Sequence, residues 1–414
     1  MKAKVIATMF RASVAWIMVT ALLFTLTTAC SSAAQTWTLD NAYSAWTAYN
    51  STFLASNEST FYQANTGSAN PGFWERAEEI EVAEDAYYWS VNNYPTHDHS
   101  AYVTEINDLC TGFTASSSYG SDWSSDRFND DLNWAIIAFA RAYQITGNTT
   151  WLTDAENNFN TVWTRAQADS NNAGGLIQSN PPTPIGTWTP NEDAPVNFTF
   201  VIAGYLIHDN GGAASYKTKA DTVYAWAMAN LYTTTANNGG PCTGNTSLTC
   251  GKIRDSNNTG PFTNYPTFAG TGIGPTDYTY NYGIALEAIT READTTTPQL
   301  VANYLMYNMN NASHPYVDTY EGYNILPYWG NAGTNDAGYN GIGLRGVGFA
   351  YSRGVLNATT LLWAQENVQA AWNTANSNNV IENNWTTGTT TPSTPLYSWD
   401  CSAALAGLLD IPAP

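Results

Sequence analysis

Residues 128–148 read FNDDLNWAIIAFARAYQITGN, and this stretch decides the fold. Apolar side chains recur at helical spacing from Asp131 to Ile145. A second helical pattern runs from Trp151 to Ala166, and only Thr146-Gly147-Asn148 separates the two. Gly147 suits a left-handed helix cap, and so short a connection makes the two helices antiparallel neighbours. The building unit is therefore a helical hairpin.

The pattern continues in both directions. Helical periodicity covers Trp37 to Leu54, Trp74 to Tyr88, Asn197 to Ile207, Tyr216 to Leu231 and Tyr280 to Arg291. It returns over Pro298 to Met309, Gly341 to Tyr351, Thr359 to Ala375 and Ser402 to Leu409, which makes about eleven helices in all. Within 74–88, Trp74, Ala77, Ile80, Ala83 and Tyr87 share a face, while Glu75, Glu78, Glu79, Glu81 and Glu84 fall mostly on others. Long loops rich in Gly, Asn, Pro and aromatics follow alternate helices, at 111–129, 168–196, 234–279 and 311–340. Loops of that length in a compact domain usually carry function. No strand alternation of sheet length and no interdomain linker is present. These features predict an all-α fold, a single-domain (α/α)6 barrel or toroid of helical hairpins. An open solenoid fits less well, because no fixed-length repeat is evident.

The first 34 residues read as a signal peptide. Lys2, Lys4 and Arg11 precede an apolar run from Val14 to Leu26, followed by small residues ending at Ala34. Thr28-Ala29-Cys30 also loosely resembles a bacterial lipoprotein signal, which would put a lipid anchor on Cys30. Residues 35–414 then form the single mature domain. The whole chain carries 14 basic and 34 acidic residues. Three of the basic residues and none of the acidic ones lie in the leader, which leaves a mature net charge of −23. Such acidity repels phosphates, so nucleic acid and anionic membranes are excluded as partners. It suits a secreted or cell-surface monomer acting on a neutral polymer. Four cysteines remain, which in an oxidising compartment predicts two disulfides. Cys242 and Cys250 bracket a short polar loop and form the simplest pair; Cys110 would then join Cys401.

The pair Asp130-Asp131 carries the chemistry. Asn and Asp at a helix start act as caps, because they accept backbone N–H bonds and complement the dipole. Two adjacent carboxylates also repel, and glycoside cleavage requires one protonated and one ionised carboxyl group close together. Mid-helix neighbours diverge by about 100°, so a loop–helix junction is where two such side chains can converge.

The chain resembles glycoside hydrolase family 76, the α-1,6-mannanases, from about Trp37 to Leu409. The most specific match is Asp130-Asp131-Leu132-Asn133-Trp134-Ala135-Ile136, with Arg141-Ala142-Tyr143-Gln144-Ile145-Thr146-Gly147 after it. Further matches are Phe73-Trp74-Glu75-Arg76, Gly174-Gly175, Ala194-Pro195-Val196-Asn197, Thr279-Tyr280-Asn281-Tyr282-Gly283 and Gly341-Ile342-Gly343-Leu344-Arg345-Gly346. The resemblance implies an (α/α)6 barrel and endo-cleavage of α-1,6-mannan with retention. Asp130 would be the nucleophile and Asp131 the general acid/base. Two departures fall in a loop expected to touch substrate. Leu176-Ile177-Gln178 stands where the family often has an aromatic, and Glu192 stands where it often has a basic residue.

Sugar rings stack on aromatic faces. Trp134 follows the pair by one turn, and Trp123, Trp188, Tyr278, Tyr280, Trp329 and Tyr339 lie in or beside the long loops. Asn197 and Asn281 are candidate hydroxyl-binding amides or helix caps. No cofactor and no metal is implied. The sequence 341–346 spells G-x-G-x-x-G, but no strand precedes it, so its glycines suit close helix packing instead. His97-Asp98-His99 lacks a third ligand. The other readings are an (α/α)6 glycosidase or transglycosylase of different glycan specificity, and a non-catalytic glycan-binding surface lipoprotein.

Overall fold

The structure, a computed structural model, describes residues 36–115, 119–167, 174–180, 191–234, 240–242, 245–256, 278–309, 319–320, 323–329, 332–386 and 395–414. The leader, Cys30 and Trp188 lie outside the described residues. Twelve helices occur among them: α1 (Leu39–Phe53), α2 (Phe73–Asn93), α3 (Ser100–Ala115), α4 (Asn129–Thr146), α5 (Thr149–Ala166) and α6 (Ala194–Asp209) come first. They are followed by α7 (Ala214–Asn230), α8 (Thr279–Arg291), α9 (Thr297–Tyr307), α10 (Tyr339–Ser352), α11 (Ala358–Asn373) and α12 (Ser398–Asp410). The even-numbered helices pack each on the next, and α12 closes back on α2. The odd-numbered helices lie against this ring: α3 on α2, α5 on α4, α7 on α6, α9 on α8, and α1 and α11 on α12. This is the (α/α)6 barrel, formed within residues 38–414.

The hairpin at its heart forms for local reasons. Gly147 takes φ 69°, the left-handed conformation that ends α4 at low steric cost. One residue on, the Asn148 side chain accepts from the Thr150 backbone and starts α5. The ring closes tightly where glycines face each other. A Cβ on Gly283 of α8 would lie 2.2 Å from the Ile342 carbonyl, and one on Gly346 of α10 would lie 2.1 Å from the Gly283 carbonyl. The glycines of the G-x-G-x-x-G stretch thus set helix spacing.

Helix α3 was not expected. Its stripe Ile106, Leu109, Cys110 and Phe113 has helical spacing and is buried, but Val103, Thr104, Thr111 and Thr114 dilute the signal. The three threonines return hydroxyl bonds to carbonyls within their own helix, an arrangement neutral at best for helix propensity. Three two-stranded antiparallel ladders decorate the loops: β1 (Tyr232–Thr233) with β4 (Lys252–Ile253), β2 (Gly240–Cys242) with β3 (Asn245–Cys250), and β5 (Thr319–Tyr320) with β6 (Tyr323–Asn324). Cys242 and Cys250 are disulfide-bonded. Cys110 and Cys401 are not; both are free and buried. The expected second bridge fails because they occupy different neighbourhoods, Cys110 near Glu84 and Asp154 and Cys401 near Tyr49 and Asp400.

Glu75, Glu78, Glu79, Glu81, Glu84 and Asp85 are all buried, because α2 is an inner helix with no solvent face. Arg141 of α4 pairs with Glu81 at 2.7 Å, with Glu84 at 3.2 Å and with Asp85. Arg345 of α10 reaches Glu78 at 2.7 Å, Glu81 at 3.6 Å, Asp85 at 2.8 Å and Asp410 at 3.9 Å. Two guanidinium groups thus face five carboxyls, and burial pushes Glu81 up to about 8.

Candidate active site

The six inner helices run parallel. Residues at the starts of α2, α4, α6, α8 and α10, namely Trp74, Asp130, Asp131, Pro195, Tyr280 and Tyr339, line one cavity of about 230 Å³. Residues near their ends, among them Trp89, Gln144, Asp209, Arg291, Ser352 and Asp410, line a larger one of about 470 Å³. In the larger cavity the buried charges are bound to one another, Arg141 and Arg345 to the α2 carboxylates. The smaller one holds carboxylates without cationic partners among the described residues, and it is the candidate active site.

The start of α4 is held from outside. The Asn129 backbone N–H donates to the Gln178 carbonyl at 2.6 Å, and its side chain donates to Ile177 O at 2.7 Å and accepts from Arg165 Nε at 2.6 Å. Phe128 bridges Ser179, and Asn180 N donates to Arg127 O. This clamp sends both aspartate side chains into the same cavity. Asp130 is 8% exposed. Its Oδ2 accepts from Gln178 Nε2 at 3.3 Å, and its Oδ1 has no hydrogen-bond partner among the described residues. Burial pushes its carboxyl up to about 6, opposed by the Gln178 bond and by backbone N–H groups of the helix start. Asp131 is held well above the ordinary carboxylate range, first by burial, then by the charges of Asp130, Asp126 and Glu75. No donor to its carboxyl occurs among the described residues. Burial thus raises both carboxyls, and hydrogen-bond donors oppose the rise at Asp130 alone, a difference that suits coupled nucleophilic and acid–base chemistry.

The expected sugar-binding residues divide. Trp134, Tyr280 and Tyr339 line the cavity. Trp134 meets Trp74 at 6.4 Å between ring centroids, and Tyr280 meets Tyr339 at 4.2 Å. Tyr278 backs this group, 5.4 Å from Tyr339. Trp123 is instead fully buried core, packed on Phe113 and Phe139, its indole N–H bonded to Gly120 O. Trp329 lies behind Tyr278 and off the cavity. Asn197 is fully buried; it accepts from Leu176 N and donates to Leu176 O and Asp193 O. Its amide pins the 174–180 segment to α6 and has no capacity left for sugar. Asn281 is also fully buried and bound to Asp255 at 2.9 Å, away from the lining. The two departures part company as well. Gln178 does line the cavity. Glu192 is 2% exposed and sits behind Gly175, where a Cβ would come within 2.9 Å of its Oε1.

Trp74, Phe128 and Asn335 line the site without having been singled out as candidates. Phe128 is 38% exposed, a large aromatic at the rim. Its place two residues before the aspartate pair was the available signal.

No protein-family model and no curated protein sequence matches the chain. Solved structures match over most of its length. The GH76A α-1,6-mannanase from Salegentibacter sp. HEL1_6 is 18% identical with a TM-score of 0.66, covering 90% of this chain and 97% of its own. An inactive variant of that enzyme, with two consecutive aspartates changed to alanine and α-1,6-mannotetrose bound, gives 17% identity and a TM-score of 0.67, covering 90% and 98%. A family 76 glycoside hydrolase (mannosidase) from Bacteroides thetaiotaomicron VPI-5482 gives 17% and 0.63, covering 90% and 96%. The fold is that of the family 76 glycoside hydrolases.

Proposed function

We propose that the protein is a retaining, endo-acting glycoside hydrolase that cleaves α-1,6-mannan or a related α-mannoside polymer. One observation carries the reading: the only Asp-Asp pair in the sequence lines the cavity at the inner-helix starts, with burial raising both carboxyls and donors opposing the rise at Asp130. The structural neighbour inactivated at two consecutive aspartates, with an α-1,6-mannose oligomer bound, supports the substrate class.

Asp130 attacks the anomeric carbon while Asp131 protonates the departing glycosidic oxygen, leaving a glycosyl ester on Asp130. Asp131, now ionised, takes a proton from water, and the resulting attack on the anomeric carbon frees Asp130. Aromatic faces of Trp74, Trp134, Tyr280 and Tyr339 provide apolar surface for the sugar rings. Secretion is supported by the leader-like N-terminal sequence and by the Cys242–Cys250 disulfide. The reading takes the protein as a monomer outside the cell, released after Ala34 or tethered by a lipid on Cys30.

Asp130→Asn and Asp131→Asn should each cut release of reducing ends from α-1,6-mannan by at least about 10³-fold, with the thermal unfolding midpoint held. Full activity in either variant, or products of inverted configuration, would sink the reading.

A further inference from the structure

Asp130 and Asp131 are chemically identical and adjacent, so something outside the pair must decide which attacks and which gives the proton. The helix start supplies N–H groups to this region, and several groups face it. Glu75 comes from α2, Asp126 from the loop before α4, Asp193 from the head of α6, Tyr280 from α8 and Tyr339 from α10. The acids among them raise the cost of ionising either carboxyl and do not distinguish the two by type. The backbone N–H groups of Asp130 and Asp131 favour charge on Asp130, and Gln178 is the side chain that does the same. Its amide donates to Asp130 Oδ2 at 3.3 Å, and no such donor reaches Asp131 among the described residues.

Gln178 is built into position. Its backbone N–H donates to Asn191 O at 2.7 Å and its carbonyl accepts from Asn129 N at 2.6 Å. The flanking residues Ile177 and Ser179 are also tied to the start of α4. The side chain therefore starts from a backbone fixed against the residue preceding Asp130, in a segment that Asn197 anchors to α6.

We propose that Gln178 is the positioning residue that assigns the roles within the pair, making Asp130 the attacking carboxylate and Asp131 the proton donor. The proposal rests on the hydrolase reading for its rate measurements. A hydrogen bond to a charged acceptor stabilises the charged form, so the donor keeps Asp130 ionised at pH values where it would otherwise take up a proton.

The test uses the full chain with Gln178→Met, which keeps length and loses the donor, and Gln178→Glu, which puts an acceptor there. Because Asp130 must be ionised to attack, its titration sets the acid limb of kcat/KM on α-1,6-mannan oligosaccharides. Both variants should move that limb upward by about one pH unit, the size of one lost charge-assisted bond, with kcat falling more than KM rises. A structural role would lower stability or rate at all pH values and leave the limb in place. The same shift should appear in a carboxyl carbon-13 titration of aspartate-labelled protein, with Asp130 assigned through Asp130→Asn. That measurement needs no substrate. If the wild type hydrolyses no mannan, the hydrolase reading fails while the titration still judges Gln178. An Asp130 midpoint that moves by less than about half a unit in both variants, or moves downward, overturns the proposal.

Discussion

The two ends of the inner barrel are built from the same six helices and differ in how their charges are paired. At the N-terminal end, Asp130, Asp131, Asp193 and Glu75 gather at or beside a cavity edged with aromatic rings. At the C-terminal end, Arg141, Arg291, Arg345 and Arg353 gather around the larger cavity, with Asp85, Asp209, Glu287 and Asp410 among them. Parallel helix dipoles favour this sorting, since helix starts stabilise anions and helix ends stabilise cations. The difference in use follows from pairing. At the C-terminal end Arg141 and Arg345 both hold the Asp85 carboxylate by direct ion pairs. At the N-terminal end the carboxylates have dipoles, Gln178 and one another. Paired charge becomes structure, and unpaired charge is left for chemistry.

Several changes should break or sharpen this contrast. The largest effect is at the N-terminal end, where Asp130→Asn or Asp131→Asn should remove catalysis with little change in stability. The mirror experiment is Arg345→Ala, which strands Glu78 in the interior and removes one of the two arginines from Asp85. It should cost about 3–5 kcal/mol in urea unfolding while the surviving folded fraction keeps its activity per molecule. Equal loss of stability at both ends would refute the division. Gly346→Ala forces a Cβ against the Gly283 carbonyl and should cost about 1–3 kcal/mol by the same measurement, without a selective effect on either cavity.

The C-terminal network also predicts a pH dependence. Glu81 is raised to about 8 in the fold from an ordinary value near 4.5, so the folded state holds a proton the unfolded state releases across that window. Stability should fall as pH rises from about 4.5 to 8, reversing the usual carboxylate trend. Asp85 is lowered by its two arginines despite burial, so its contribution is lost instead as pH falls below the ordinary aspartate value. Thermal midpoints should therefore peak in mildly acid buffer, and a midpoint that rises toward pH 8 would contradict the network. The smallest effect belongs to Phe128→Ala. Removing an exposed rim aromatic should raise KM for mannan oligosaccharides by less than about tenfold and leave unfolding unchanged.

Much of the barrel could be read from residue spacing, because a helical hairpin is a local object. Gly147 and Asn148 end one helix and begin the next through their own backbone preferences. Helix α3 escaped because its threonines dilute a sound apolar stripe. The Asp130-Asp131 pair was visible for the same local reason, as adjacent carboxylates at a loop–helix junction.

The rest depended on which helices face inward. Glu78, Glu81 and Glu84 lie off the apolar face of α2 in the sequence pattern, and only the inner ring brings Arg141 and Arg345 to them from residues far along the chain. Asn197 and Trp123 look like loop-side ligands until packing consumes their polar atoms and surface. The sequence by itself determined the helices, their hairpin pairing and the carboxylate pair, since all three are set by neighbours within a few residues. Only the tertiary structure decided which aromatic rings reach the cavity and which glutamates are buried. It also put Gln178, 48 residues beyond Asp130, beside that carboxylate, because closure of the ring sets those distances and no local preference encodes them.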